Sequence, residues 1–335
     1  MKQLTHRRIL VRVDGSKEIG LGHVYNMITI LHHFKKDSIL VVMNKDKKLG
    51  SKKFSKFNIP VKFFNDITSF QKIVGKFNPH IIFNDTLNTS KSYTSKLKKS
   101  CCLLVNFEDL GKGKQNADLV FNPIYYNTNS KNEFYGHKFA CVRDEFRIKT
   151  MPKTRKNVKK IAITFGGTDP TDKTYHVLNT LYKNNLLEIQ INVILGLGYS
   201  KKSKLKKLIK EMIMNKFDVN LVEKSDNIST YIRNCDFVIT SNGRTVFEIA
   251  AMKIPMIAIA VNKREQKHSF VQRTKSGFQI NTSSNNIDDV LVEYIFKMLD
   301  YNVRKSFLSN LMKNDLLKGL PLVVKKINSK SKKCV

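Results

Sequence analysis

The feature that most constrains this chain is an alternation that occurs twice. Short runs rich in β-branched and apolar residues are separated by stretches with helical periodicity. The first set of runs is Arg8–Val13, Ser38–Met43, Val61–Phe64, Ile81–Phe83 and Cys101–Phe107. A second set starts after Lys160 with Ile161–Phe165, then Ile191–Leu195, Val219–Val222, Phe237–Thr240 and Met256–Ala260. Between the first two runs, Val24, Met27, Ile28 and Leu31 recur at helical spacing, with Phe34 a position off the pattern. Strands that alternate with helices pair in parallel and are covered on both faces. The pattern predicts an α/β protein of two doubly wound, Rossmann-like domains facing a cleft. Ligands in such sheets bind beyond the carboxyl ends of the strands. The polar, basic stretch 147–160, with Pro152 and no periodicity, reads as the linker. The expected division is a first domain at 1–147, a linker at 148–160, a second domain at 161–320 and a frayed basic tail at 321–335.

Composition narrows the function classes. Lys and Arg number 60 against 27 Asp and Glu, a net charge of +33. The excess is nearly all lysine, spread along the whole chain, with no Trp. Phosphate-reading surfaces concentrate Arg, whose planar fork matches phosphate oxygens, so no specific nucleic-acid partner is expected. Scattered lysines favour weak peripheral association with anionic membranes instead. The segment Phe54-Ser55-Lys56-Phe57-Asn58-Ile59 reads either as a bilayer contact or as a surface loop leading into a strand. No run approaches the ~20 apolar residues of a membrane span. The basic start Met1–Arg8 leads straight into a strand-like run, unlike a signal peptide, so the expected location is cytoplasmic. Cys101, Cys102, Cys141, Cys235 and Cys334 form no CxxC pair and read as reduced packing thiols. The eight histidines lack zinc spacing, and neither a metal nor a cofactor is expected.

Three strand-end loops carry the chemistry. The first strand runs into Asp14-Gly15-Ser16 and then Gly20-Leu21-Gly22-His23, where a helix begins. A dinucleotide fingerprint would place its third glycine at Tyr25, which argues against NAD. His23 at the helix start reads as a capping or packing imidazole, or as a general base kept neutral by the helix N-terminus. In the second half, Gly166-Gly167-Thr168-Asp169-Pro170 closes the first strand, with Asp169 as N-cap and Pro170 as first helical residue. The third loop, Thr240-Ser241-Asn242-Gly243-Arg244-Thr245, presents amides and hydroxyls ahead of a helix over 244–252. Glu248 lies one turn further on. It can accept both hydroxyls of a ribose, or it can pair with Arg244 at i,i+4.

In order and spacing these three loops resemble the PseG family, the UDP-sugar hydrolases of pseudaminic acid biosynthesis. That family is related to the MurG-type glycosyltransferases of the GT-B fold, and the resemblance covers about residues 8–280. It implies a UDP-diacetamido-trideoxyhexose as substrate and His23 as the base that activates a water. UDP would leave with inversion at the anomeric carbon, with no metal, in nonulosonic acid or surface-glycan synthesis. It further implies that Ser241, Asn242, Gly243, Arg244 and Thr245 hold the diphosphate and Glu248 the ribose. Gly166, Gly167 and Thr168 would border the nucleotide, while Asp14, Gly20, Gly22 and Gln266 complete the binding set. The chain departs from the family at Val24-Tyr25-Asn26-Met27, Asn84-Asp85-Thr86, Asn106-Phe107-Glu108-Asp109 and Asn262-Lys263-Arg264-Glu265-Gln266. Most departures fall on the sugar side. A glycosyltransferase of the same fold, using an alcohol in place of water, is the alternative, and a basic nucleic-acid-binding protein is a distant third.

Overall fold

The structure is a computed structural model that describes residues 6–147, 154–223, 225, 227–281 and 287–334. The chain divides into two compact units, Met1–Cys141 with Leu317–Val335, and Val142–Leu316. The first five residues of the basic start, and residues 148–153 of the expected linker, lie outside the described residues.

The first unit carries seven strands: β1 Arg8–Val13, β2 Ser38–Asn44, β3 Val61–Phe64, β4 Ile81–Asp85, β5 Leu103–Phe107, β6 Leu119–Asn122 and β7 Glu133–Tyr135. All pair in parallel in the order β3-β2-β1-β4-β5-β6-β7. Both faces are covered, which is why these strands read as unbroken apolar runs. Ile9, Val11 and Val13 enter one core with Val24, Met27 and Leu31 of the helix Gly22–Leu31, while Leu10 enters the other with Leu40, Ile82 and Leu104. The helix continues as a tighter turn, His32–Phe34, and that change of pitch accounts for the offset of the buried Phe34. Phe34, Phe83, Phe107, Phe121 and Phe134 then pack ring against ring through the core, the first two contacts edge-on and the last two stacked, with centroids 5.3–5.9 Å apart.

The second unit carries β8 Lys160–Thr164, β9 Gln190–Ile194, β10 Val219–Val222, β11 Phe237–Ser241, β12 Met256–Ile259 and β13 Gly277–Ile280. They form a second parallel sheet in the order β10-β9-β8-β11-β12-β13. In each sheet the order reverses beside its first strand, between β1 and β4 and between β8 and β11. Three strands were not legible in the sequence: β6 and β7, which are short, and β13, of which only Ile280 is buried.

Four expectations change. The expected frayed tail begins inside a helix: Gly319–Ser331 buries Leu320, Val323 and Ile327 in the first unit's core, and Val335 lies outside the described residues. Gly319 fits where an added Cβ would stand 2.1 Å from the Ala140 carbonyl oxygen. The cysteines are not all reduced, because Cys102 and Cys334 form a disulfide across 232 residues, a pairing no local spacing could reveal. Cys101 and Cys235 stay free, and burial pushes both thiols up to about 12. The second unit begins at Val142, ahead of the expected boundary, because Arg143 and Glu145 bond to Glu248 and Ser229 within it. Finally, Phe54 and Ile59 of the segment weighed as a bilayer contact turn into the core and leave Phe57 exposed. No helix among the described residues is long and apolar enough to cross a membrane.

Cross-linking across so long a loop restricts the unfolded chain, an effect of about 5.5 kcal/mol in the chain-entropy model. Reduction of the Cys102–Cys334 bond is therefore expected to lower Tm by several degrees in thermal melts followed by circular dichroism. A variant ending at Leu316 should lose more, since it also uncovers the seat of Leu320, Val323 and Ile327. A melt indifferent to reductant would contradict this role for the disulfide.

Candidate active site

In the first unit the parallel register sets Val13 at the end of β1 beside Asp85 at the end of β4. The two strand ends therefore deliver their polar residues to one place, where the sheet order reverses. A cavity of about 500 Å³ opens there, lined among others by Arg12, Asp14, His23, Asp85 and Tyr93 over an apolar floor of Phe64 and Phe70. The loop after β1 doubles back through an isolated bridge between Ser16 and Gly20, and Gly20 takes a positive φ of 79°. Gly15 donates its N–H to the Lys47 carbonyl at 2.9 Å, and an added Cβ there would stand 2.2 Å from the Leu49 carbonyl oxygen. This packing starts the helix at Gly22 and sets His23 on its first turn, 1% exposed.

His23 is buried and meets a carboxylate. Its Nδ1 lies 2.6 Å from Asp85 Oδ1, and Asn26, one turn along the helix, donates from Nδ2 to Asp85 Oδ2 at 3.0 Å. Asp14, expected to bind substrate, lines the cavity and takes the Arg12 fork on both oxygens at 2.6 Å each and the Asn44 N–H at 2.9 Å. The Arg12 guanidinium also lies 4.7 Å from the centre of the Phe64 ring. Tyr93 donates to Asn84 Oδ1 at 3.1 Å, and burial pushes its phenol up to about 12. Asn84 bonds Asn106, which bonds Asp109, and Asp109 accepts from the Thr89 and Gly111 N–H groups. These polar strand ends brace Tyr93 and Thr89 of the cavity wall. Tyr25 packs against the core with the Lys53 ammonium 5.8 Å from its ring.

The other predicted residues belong to the second unit. Gly166, with φ at 68°, and Gly167 follow β8, and Thr168 is buried. Their turn interlocks with a glycine turn after β9 that the sequence reading missed. An added Cβ on Gly196 would stand 2.2 Å from the Gly166 carbonyl oxygen, and Gly198 donates to the Gly167 carbonyl at 2.8 Å. The next helix begins at Lys173 rather than Pro170, because Asp169 and Asp172 adopt positive φ. Asp169 still caps it, accepting from the Lys173 and Thr174 N–H groups at 2.8 Å each. After β11, Ser241 leads into the turn 242–244 and the helix Thr245–Ala251, one residue shorter at each end than expected. Ser241 Oγ lies 3.7 Å and 3.9 Å from the positions of added Cβ atoms on Gly243 and Gly166, so the two turns adjoin.

Asn242 proves to be a strut as well. Fully buried, it donates from Nδ2 to the Glu265 and His268 carbonyls at 2.8 Å each, and its own carbonyl meets His268 Nδ1 at 2.9 Å. Glu248 does not pair with Arg244. Its oxygens take Arg143 Nε and Nη2 at 2.6 and 3.0 Å, and Arg143 Nη1 meets Glu145 Oε1 at 2.7 Å. Arg143 stands 105 residues away, beyond the reach of any local pattern. Gln266 is half-buried at the end of the short helix Lys263–Gln266, beside the buried Glu265. Burial raises the Glu265 carboxyl to about 7. Among the described residues no group of three His, Cys, Asp or Glu is placed to hold a metal ion.

No protein-family model matches the chain. An uncharacterized protein of Methanocaldococcus jannaschii is 27% identical over 278 residues, covering 78% of this chain and 57% of its own length. The chain thus spans little more than half of that curated relative. Among solved structures it is similar to MurG of Acinetobacter baumannii, with a TM-score of 0.68 and 10% identity over 96% of this chain and 99% of that one. It is also similar to Anabaena HepE in complex with UDP and glucose, with a TM-score of 0.59 and 14% identity over 97% and 100% of the two chains. These likenesses and the two all-parallel sheets establish the GT-B fold.

The Glu265 site makes a prediction about stability that needs no ligand. A folded value of about 7 against an ordinary 4.5 means that the native state holds an extra proton between those pH values. Stability therefore falls as pH rises through that window. Glu265→Gln is expected to raise Tm at pH 8, by about 2–4 °C for each kcal/mol recovered, and to change it little at pH 5. Equal shifts at both pH values would refute the burial of an ionisable carboxyl.

Proposed function

We propose that this chain acts on a UDP-sugar, with His23 of the first unit as catalytic base and the glycine turns of the second unit as the UDP site. The observation that carries this reading is the buried His23–Asp85–Asn26 arrangement at the wall of the cavity. With Nδ1–H donating to Asp85, the lone pair of the ring is on Nε2. In the leading reading Nε2 takes a proton from water as the water oxygen attacks the anomeric carbon. The bond from that carbon to the phosphate oxygen breaks, its electron pair leaves on UDP, and the sugar inverts. Asp85 orients the ring and offsets the charge that develops on it, and Asn26 keeps the carboxylate in place.

In the second unit, the main-chain N–H groups and hydroxyls of Ser241–Thr245, with the Gly166–Thr168 turn, suit a diphosphate. Glu248, held by Arg143 on both oxygens, retains a lone pair on each for ribose hydroxyls. Arg12 pairs with Asp14 and His23 with Asp85 in the first unit's cavity, which suits a neutral sugar. The Phe64 and Phe70 floor suits methyl groups such as those of a diacetamido-trideoxyhexose. Transfer to an alcohol acceptor is the second reading. It is favoured by the likeness to MurG, and the same base would serve it.

Phosphorus NMR of the protein with UDP-diacetamido-trideoxyhexoses and with UDP-GlcNAc, no acceptor added, tests this directly. UDP release is expected, and His23→Ala should lose roughly 10²–10⁴-fold in turnover with UDP affinity nearly unchanged. Asp85→Asn should fall in the same direction, since it removes the group that sets the tautomer. Arg143→Ala and Glu248→Ala should instead weaken UDP binding first. Binding without release would move the assignment to a transferase, and indifference to UDP would overturn it.

A further inference from the structure

Glu265 takes no part in the mechanism above, yet its setting is that of a group built to meet a ligand. The residue is 8% exposed, and its carboxyl accepts the Val261 N–H on Oε2 at 3.0 Å. The Asn242 N–H and the Arg264 charge also favour the ionised form, against the burial, and the second oxygen, Oε1, faces the turn. It points at the bare face of Gly243, 3.0 Å from where a Cβ would stand, and Ser241 Oγ lies 3.7 Å from the same point. A side chain at position 243 would sit on the carboxyl, so glycine keeps this corner open. The backbone of Glu265 cannot swing away. Asn262 Oδ1 accepts its N–H at 3.0 Å, and Asn242 Nδ2 donates to its carbonyl at 2.8 Å. A fixed carboxylate oxygen against the turn assigned to the diphosphate would repel that ligand, whereas a carboxylic acid would donate to it.

We propose that Glu265 binds the diphosphate-bearing substrate as a neutral carboxylic acid, donating from Oε1 over Gly243, so that nucleotide binding takes up one proton from solvent. The proposal rests on the assignment of the Ser241–Thr245 turn as the UDP site. Burial already raises this carboxyl to about 7, and a phosphate drawn up to it would raise it further. Of the surrounding charges, Arg264 on its own helix pulls the other way. Arg244 flanks Gly243 in the facing turn, and His268 has its Nδ1 on the Asn242 carbonyl. Glu248, one turn along the facing helix, is held by Arg143. The acid form of Glu265 adds no negative charge to this set.

Isothermal titration of the full chain with UDP between pH 6 and 8.5, in buffers of different ionisation enthalpy, tests the proposal. A single group titrating at about 7 predicts a roughly tenfold loss of affinity from pH 6 to pH 8, with close to one proton taken up at pH 8. Glu265→Gln, which keeps a donor and cannot ionise, should flatten this profile and bind UDP more tightly than the native chain at pH 8. Free UDP carries a terminal phosphate that titrates at about pH 6. The same uptake is therefore expected with UDP-GlcNAc, whose phosphates are both esterified. Uptake with UDP alone, no uptake by the native chain, or identical profiles for native chain and variant would each overturn the proposal. Failure of both proteins to bind UDP at any pH would overturn instead the nucleotide assignment beneath it.

Discussion

The parallel pairing of β1 with β4 is the constraint on which the first unit's chemistry depends. Neighbouring parallel strands end on the same side, and helices leaving those ends begin there too. Because β1 and β4 are adjacent while β2 and β3 lie on the other side, their loops diverge and leave room between them. Into that room the register brings Arg12 and Asp14 from one strand, Asp85 from the other, and His23 from the helix that follows β1. A slip of one residue would turn Asp85 to the opposite face of the sheet and separate it from the imidazole. The second unit repeats the device with β8 and β11, whose glycine turns approach closely enough that Ser241 neighbours Gly166.

Buried charge is handled the same way in both units. Asp14 and Glu248, the carboxylates that the sequence offers as ligands, are each gripped on both oxygens by an arginine. A carboxylate removed from water is costly unless its lone pairs are satisfied, and the guanidinium fork satisfies one on each oxygen with fixed geometry. The result is a pre-oriented acceptor, which a freely rotating side chain would not be. Asp85 is held by a histidine and an asparagine instead, one on each oxygen. Glu265 differs from all three: burial outweighs the Val261 N–H, Arg264 and the Asn242 N–H, which favour its ionised form.

The carboxyl-terminal helix shows how composition can conceal structure. Between Gly319 and Ser331 the lysines at 325, 326 and 330 dominate the impression, yet Leu320, Val323 and Ile327 share one face. Three apolar residues in such a short segment need an existing surface before they form a helix, and the first unit supplies it. Arg7 ties the packing down, donating to Asn328 and Ser331 from the far end of the chain.

The sequence by itself determined the two parallel α/β sheets, most of the strands, the helix after β1 and the positions of the three strand-end loops. Those signals are local: apolar periodicity, glycine where the backbone must turn, and polar residues where strands end. Three short or half-exposed strands escaped because such segments carry little periodicity. Only the tertiary structure decided what the marked residues do. That His23 meets Asp85, that Arg143 holds Glu248, that Asn242 is a strut and that Cys102 reaches Cys334 all depend on residues 23 to 232 positions apart. Such contacts follow from strand order and register. These emerge from the packing of the whole sheet, and no window of neighbouring residues contains them.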